Sequence, residues 1–449
     1  MRTEYEKATE EVESTVSEKT RQETDIPALE QCPGVKAGLW TERMLAALGN
    51  GVKGGKWHSM MDKIYAERTL RIAWQRVKSN RGAAGIDKIS IERFENKAEQ
   101  YLQELQQQLQ SGTYQPQAVK RVMIPKAGGG ERPLGIPTVK DRVVQMAIKL
   151  VIEPIFEHTF RDSSHGFRPG RGCKDALRAV DEGLKAGYTW VVDADIKGYF
   201  DHISHDLLMS KLGERLADRR LLNLLEAYLK QDIMTDCESW KPTQGTPQGA
   251  VLSPLLANIY LNELDHLIGD RYRLVRYADD FIILAASEAE ADAALTEVKQ
   301  WMARHQLELH PDKTRLVNEQ NDPHGFDFLG YTFKKGLHLI RKKSRKAMRD
   351  KIRAQTRRSQ GVSIDTVIHR LNPILRGWFN YFKHVHKSEL QAMDGFVRRR
   401  LRSILRKYQK KGSGTGRNVR DHQQWPNAYF ANLGLFTLTE AHEQASQSR

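Results

Sequence analysis

Cysteine is scarce in this chain. It has three, Cys32, Cys173 and Cys237, far apart in 449 residues. That spacing excludes a disulfide-stapled scaffold and a CxxC-type zinc site. Long apolar runs are missing too. The nearest approach, residues 143–156, is broken by Gln145, Lys149, Glu153 and Pro154, well short of the roughly 18 apolar residues of a membrane span. The N-terminus is polar, without a signal-peptide core, and no internal repeat is visible. A reducing cytoplasm is the expected setting. The chain is 39% hydrophobic and 28% charged, enough apolar content for a buried core. Its length implies two or three domains.

Charge is the abundant feature, and it is unevenly placed. Lys and Arg number 71 against 56 Asp and Glu, a net of +15. Residues 1–30 hold 4 basic and 9 acidic side chains, whereas residues 334–411 hold 24 basic and 4 acidic. One segment therefore carries the whole excess, as a polyanion-binding surface does. A merely solvated lysine-rich face is the plain alternative.

Five parts follow along the chain. Residues 1–55 are acidic, then Gly-rich, and read as a loosely ordered extension. Residues 56–115 carry helical patterns over 57–77 and 91–109. Residues 116–333 mix short β patterns, helices and Gly/Pro loops. Residues 334–411 are basic and helical, and 412–449 open on a Gly-Ser linker before a short tail.

The chemistry lies in the third part. Trp190-Val191-Val192-Asp193-Ala194-Asp195 is a strand pattern that delivers carboxylates to its end, followed by Ile196-Lys197-Gly198-Tyr199-Phe200. Further on, Leu274-Val275-Arg276-Tyr277 and Phe281-Ile282-Ile283-Leu284 flank Ala278-Asp279-Asp280, a hairpin with acidic residues at its tip. Adjacent carboxylates repel unless a cation lies between them. Hard divalent ions take oxygen ligands and leave positions open for phosphates. A lone Asp-Asp is usually only a turn; between two apolar strands it is far more specific.

These residues resemble the reverse transcriptases of group II introns. Tyr277-Ala278-Asp279-Asp280 is similar to their YxDD box, and Asp195 followed by Phe200 to their motif A. Gln244-Gly245-Thr246-Pro247-Gln248-Gly249 resembles motif B. Ile124-Pro125-Lys126 through Pro137, and Gly166-Phe167-Arg168-Pro169-Gly170-Arg171, resemble the fingers blocks. Residues 309–314 resemble motif D, and Phe328-Leu329-Gly330 the primer grip. The resemblance implies an α+β right-hand polymerase, its fingers and palm built on antiparallel sheet, followed by a helical thumb.

The same resemblance implies roles. Asp195 and Asp279 would hold two Mg²⁺ ions, with Asp280 completing the acidic cluster and the Ile196 carbonyl as a further ligand. Asp195 ranks above Asp193 because the five-residue step to the aromatic starts from it. Lys126 and Arg132 would grip the triphosphate of an incoming dNTP, and the backbone near Gly198 and Tyr199 would meet phosphate oxygens. Phe200 would pack on the sugar and exclude a 2′-hydroxyl. Gln248 would line the nucleotide site, and Lys313 would act as a general acid toward pyrophosphate.

In the basic part, apolar residues from Ile364 to Phe382 keep helical spacing, with Pro373 expected to kink or split the helix. Asp365, His369, Asn372 and Arg376 fall on the polar face. A second basic amphipathic helix runs through Val397, Leu401 and Leu405. Residues 369–382 resemble the maturase-specific X domain of the same family. This implies RNA contact by His369, Arg370, Arg376, Arg399, Arg402 and Arg406. The implied partners are the intron RNA, an RNA template with a DNA primer, and target DNA, in a bacterial nucleoid-associated ribonucleoprotein that promotes splicing and retrohoming, with no membrane partner. Many relatives add a CxxC-bearing endonuclease. No CxxC occurs here, so neither zinc nor that nuclease is expected, and the primer would come from elsewhere. Two rival readings are a splicing-only RNA-binding protein, and a reverse transcriptase serving phage defence or CRISPR adaptation.

Overall fold

The computed structural model describes residues 39–125, 130–235, 239–409 and 418–447. Lys126, Gly128, Gly129, Cys32, Cys237, most of the acidic extension and the 412–416 linker lie outside the described residues. Eleven strands occur among the described residues: β1 (Val119–Pro125), β2 (Glu131–Ile136), β3 (Trp190–Asp195), β4 (Ile233–Met234), β5 (Ser239–Trp240), β6 (Arg273–Tyr277), β7 (Asp280–Ala285), β8 (Arg315–Asn318), β9 (Phe326–Phe328), β10 (Tyr331–Lys334) and β11 (Leu337–Ile340). The chain forms two compact units. One comprises residues 1–183, 194–285 and 289–315, the other 184–193, 286–288 and 316–449.

In the first unit, helix formation follows apolar spacing and capping. Glu67–Ser79 buries Leu70, Ala73, Trp74 and Val77 on one face. Phe94 is wholly buried, with its ring centroid 4.4 Å from that of Trp74. The expected helix over 91–109 is two helices, Ile91–Glu95 and Ala98–Ser111, and the first is capped by Ser90. Asp218 caps twice: it accepts from Arg220 and Leu221 of its own helix, and from the Met60 and Met61 amides at 2.7 and 2.9 Å. Residues 42–50, placed by sequence in a loose extension, form a helix, and Trp40 packs edge-on against Trp57 at 5.4 Å.

The interrupted apolar run is the central helix Val139–Glu157, buried along nearly its whole length. Its polar interruptions have partners: Gln145 accepts from the Val251 amide at 2.9 Å, and Lys149 pairs with Glu153 at 3.3 Å. Buried polar groups of this kind need such bonds. Among the described residues, no helix is long and apolar enough to cross a membrane. β1 and β2 form an antiparallel hairpin, with β4 parallel to β1 and β5 beyond it. β6 and β7 form a second hairpin, with Tyr277 opposite Asp280.

The second unit begins its main run at Leu316 rather than at 334. The reason is that the sheet β11-β10-β9 packs with the C-terminal helices: Tyr331 donates its hydroxyl to the Tyr381 carbonyl at 2.5 Å. Helices Lys342–Gln355, Ile364–Phe382 and Lys387–Tyr408 follow. Pro373 lies inside an unbroken Ile364–Phe382. Both Pro373 and His369 are exposed, so water can serve the carbonyl that loses its donor. The tail is more than a short end. It forms Val419–Gln424, Asn427–Asn432 and Leu438–Gln447, burying Trp425, Phe430 and Leu438.

Candidate active site

The acidic residues are brought together by backbone pairing. Asp195 ends β3, and the segment 308–310 runs antiparallel to 195–197, with the His310 amide on the Asp195 carbonyl at 2.8 Å and the Lys197 amide on Glu308 at 2.9 Å. The flanking residues make these bonds, so the Ile196 carbonyl takes no part in this pairing. The pairing also carries Lys313 to the site, its Nζ 2.6 Å from Asp195 Oδ2.

Asp279 occupies the β6–β7 tip beside Ala278, whose φ of +59° is left-handed. A positive φ at the first tip position suits a two-residue hairpin, although alanine adopts it at some cost. Burial raises the Asp279 carboxyl above the usual range, and the Asp195 charge adds to that rise. The two carboxylates therefore sense each other. Among the described residues no group of three or more His, Cys, Asp and Glu is assembled. The available donors are this carboxylate pair and the adjoining Asp280. They are all oxygen, and although the Lys313 and Arg276 charges partly offset it, the Asp279 carboxyl stays raised; an oxygen set of this kind suits a hard divalent cation.

A buried arginine holds the turn. Arg276 is fully buried, and all five of its N–H donors are used. It bonds Asp265 through Nε at 2.6 Å and Nη2 at 2.5 Å, Asn258 at 3.1 Å, Ser164 Oγ at 2.8 Å and the Ala278 carbonyl at 2.9 Å. Gly166 abuts the same turn, where a Cβ would lie 2.5 Å from the Ala278 nitrogen. The sequence resemblance does not single out Arg276, Asp265 or Asn258. The available signal was an arginine inside an apolar strand pattern, which must find a partner once buried.

The residues expected on the nucleotide side form a second connected set. The Thr246 amide donates to the Phe200 carbonyl at 2.7 Å, and the Gly135 amide to the Gln248 carbonyl at 2.7 Å. Gly249, at φ +105°, permits that approach: a Cβ there would meet the Gly135 oxygen at 2.7 Å. Gln248 is thus tied to β2 three residues from the exposed Arg132. Phe200 is half-buried. Gly198 is left-handed at φ +55°, and Tyr199 points inward, its hydroxyl on the Ala257 carbonyl at 2.6 Å.

In the second unit, Leu329 and Gly330 both have positive φ and form the two-residue turn between β9 and β10. Tyr381 donates to the Leu329 carbonyl at 2.7 Å, and the Arg341 amide to the Gly330 carbonyl at 3.0 Å. Phe328 is buried beneath. His369 and Arg370 are exposed. Arg399 lies 5.1 Å from the Phe396 ring, and Arg376 lies over Phe436 at 4.6 Å. Two arginines expected to contact RNA are engaged within the protein. Arg402 is buried, donating to the Trp425 carbonyl and to Asn427, each at 2.9 Å, and Arg406 pairs with buried Asp421 at 2.7 Å. Asn372 leaves the polar face in the same way, bonding Gly434 and Phe436 at 2.8 Å each.

The strand-end and hairpin-tip carboxylates beside Lys313, followed by a basic helical region, are the arrangement of a nucleic-acid polymerase. Residues 124–333 match the family "Reverse transcriptase (RNA-dependent DNA polymerase)", and residues 345–425 match "Group II intron, maturase-specific domain". The chain belongs to the group II intron type of reverse transcriptase/maturase. It is 35% identical to Protein YkfC of Escherichia coli (strain K12) over 60% of this chain and 79% of that one. It is 40% identical to the group II intron-encoded protein LtrA of Lactococcus lactis subsp. cremoris, over 44% of this chain and 33% of LtrA. This match thus spans a third of LtrA. A solved partial Cas6-RT-Cas1–Cas2 complex aligns at 25% identity with a TM-score of 0.36, over 55% of this chain and 42% of that one.

Proposed function

We propose that this chain is an RNA-directed DNA polymerase that also binds a group II intron RNA and promotes its splicing. One observation carries the reading: Asp195, Asp279 and Lys313 converge in one unit of a chain that belongs to this family. Reverse transcriptases generally use Mg²⁺. Two such ions, when bound, would stabilise the attacking and leaving oxygens of phosphoryl transfer. Asp195, Asp279, Asp280 and the Ile196 carbonyl would hold them.

The chain's own residues do the rest. Arg132 and Lys126 bind the triphosphate, and Gln248 orients the nucleotide. Phe200, fixed by Thr246, excludes a ribose 2′-hydroxyl. Lys313 carries a proton at Nζ, beside the reacting groups. Leu329 and Gly330 hold the primer, and the exposed His369, Arg370 and Arg376, with the half-buried Arg399, contact RNA phosphates. The intron RNA, a primed RNA template and target DNA are the partners, in a cytoplasmic ribonucleoprotein. The maturase-type segment favours this role over defence or CRISPR adaptation.

A paired assay tests the reading on wild type and Asp279→Ala/Asp280→Ala. One arm extends a DNA primer on RNA with dNTPs and Mg²⁺; the other follows splicing of the cognate precursor at low Mg²⁺. The double variant should lose extension and keep splicing. Normal extension by the variant would refute the carboxylate assignment.

A further inference from the structure

Phe167 is out of place by two measures. Its φ is +58°, a left-handed conformation that phenylalanine adopts at a cost and glycine or asparagine adopts readily. Its side chain is 45% exposed, one of the few large apolar side chains so placed among the described residues. Neither backbone preference nor burial selects phenylalanine here. Strain and exposure held together in one residue point to a partner outside the chain.

The residue is presented rigidly. On its N-terminal side the backbone pairs with β6: Arg276 donates to the Ser163 carbonyl at 2.8 Å, and His165 to the Arg276 carbonyl at 2.9 Å. Asn258 holds the Gly166 carbonyl at 2.8 Å. On its C-terminal side, the buried guanidinium of Arg168 grips Glu157 at 2.7 Å and the Ser164 carbonyl at 2.7 Å. The ring is thereby set 6.2 Å from that of Tyr277, tilted by 43°, two residues before Asp279.

The position selects the partner. Resting on the reading of Asp195 and Asp279 as the catalytic pair, the turn beside Phe167 is where the primer's 3′ end must lie. Phe200, Gln248 and β2 form the nucleotide-side set through their own hydrogen bonds; Phe167 belongs instead to the set built on β6, Asn258 and Tyr277. An uncharged ring has no attraction for phosphate, but it packs well on sugars and base edges. We propose that Phe167 is a binding residue for the template–primer duplex, packing with Tyr277 on the sugar and groove edge of its terminal nucleotides.

The test uses the full-length protein. Binding of an RNA template–DNA primer is measured without dNTPs across a salt series, and extension kinetics separately, for wild type, Phe167→Ala and Phe167→Tyr. Phe167→Ala should weaken duplex binding roughly tenfold, leave the salt slope and the dNTP KM unchanged, and shorten the products of single binding events. Phe167→Tyr should restore wild-type binding. The melting temperature of Phe167→Ala should not fall, because the ring is exposed. Wild-type duplex affinity in Phe167→Ala would overturn the proposal. So would a change confined to the dNTP KM, or a binding loss that only tracks a lowered melting temperature. If wild type failed to extend primers at all, the catalytic reading would fall while the binding arm still decided Phe167.

Discussion

Removing the Arg276 guanidinium tests whether the β6–β7 turn that carries Asp279 is held by a buried ion pair. Arg276 and Asp265 are both fully buried and joined by two charge-assisted bonds. In Arg276→Met, Asp265 stays behind as a buried carboxylate without its cation. Breaking such a pair typically loses about 3–5 kcal/mol, a large part of the ~5–15 kcal/mol that stabilises a domain. Removing the partner as well, in Arg276→Met/Asp265→Leu, eliminates the stranded charge. The double variant should therefore be more stable than the single one by at least about 1 kcal/mol. Activity should not recover with it. The Ala278 carbonyl loses its donor at 2.9 Å in both variants, and the left-handed tip that carries Asp279 is no longer fixed. A displacement near 1 Å at reacting groups lowers the rate by about 100-fold. Urea unfolding reads the first effect; kcat for primer extension at saturating duplex reads the second. A double variant with wild-type kcat would show that the network supports the fold and not the turn.

Three further outcomes follow from the same geometry. Arg402→Ala should destabilise the second unit by about 2–4 kcal/mol, because it strands buried acceptors, and leave the salt slope of RNA binding unchanged; Arg399→Glu should weaken that slope by about 1. Gly249→Ala should lose about 1–3 kcal/mol, from a strained φ and the crowded Gly135 oxygen, and should raise the dNTP KM through Gln248. Burial, with the Arg171 charge assisting, lowers His165 from 6.5 to about 4. Between those values the unfolded chain binds the extra proton, so stability should fall as pH drops from 6.5 toward 4 and level off below. That loss is at most about 3 kcal/mol, and His165→Leu should abolish it in a pH series of urea midpoints.

What the sequence displays and what it hides differ in range. Asp195 and Asp279 are legible because each sits in a short strand-and-turn pattern whose chemistry is local. The segment 244–249 is legible only as a motif; that Gly245 and Gly249 take positive φ appears in the structure. Arg402 and Asn372 are not. Helical periodicity separates an apolar face from a polar one, and from that alone a basic polar face reads as RNA-binding. In the structure the polar face meets a second layer, because the tail packs there with polar contacts. Asp394 accepts the Leu438 and Thr439 amides at 3.0 and 2.9 Å, at the start of the last helix. Asn372 takes Gly434 and Phe436, and Arg402 takes Trp425 and Asn427. Those partners lie 23 to 64 residues away, beyond what local pattern can show. The tail's own composition is polar enough to resemble a solvated end, yet its Trp425, Phe430 and Leu438 are buried. A basic helix with a polar neighbour later in the chain can therefore bury part of its charge against that neighbour. On the proposed function, the arginines open to RNA are those that the tail's carbonyls and carboxylates do not reach.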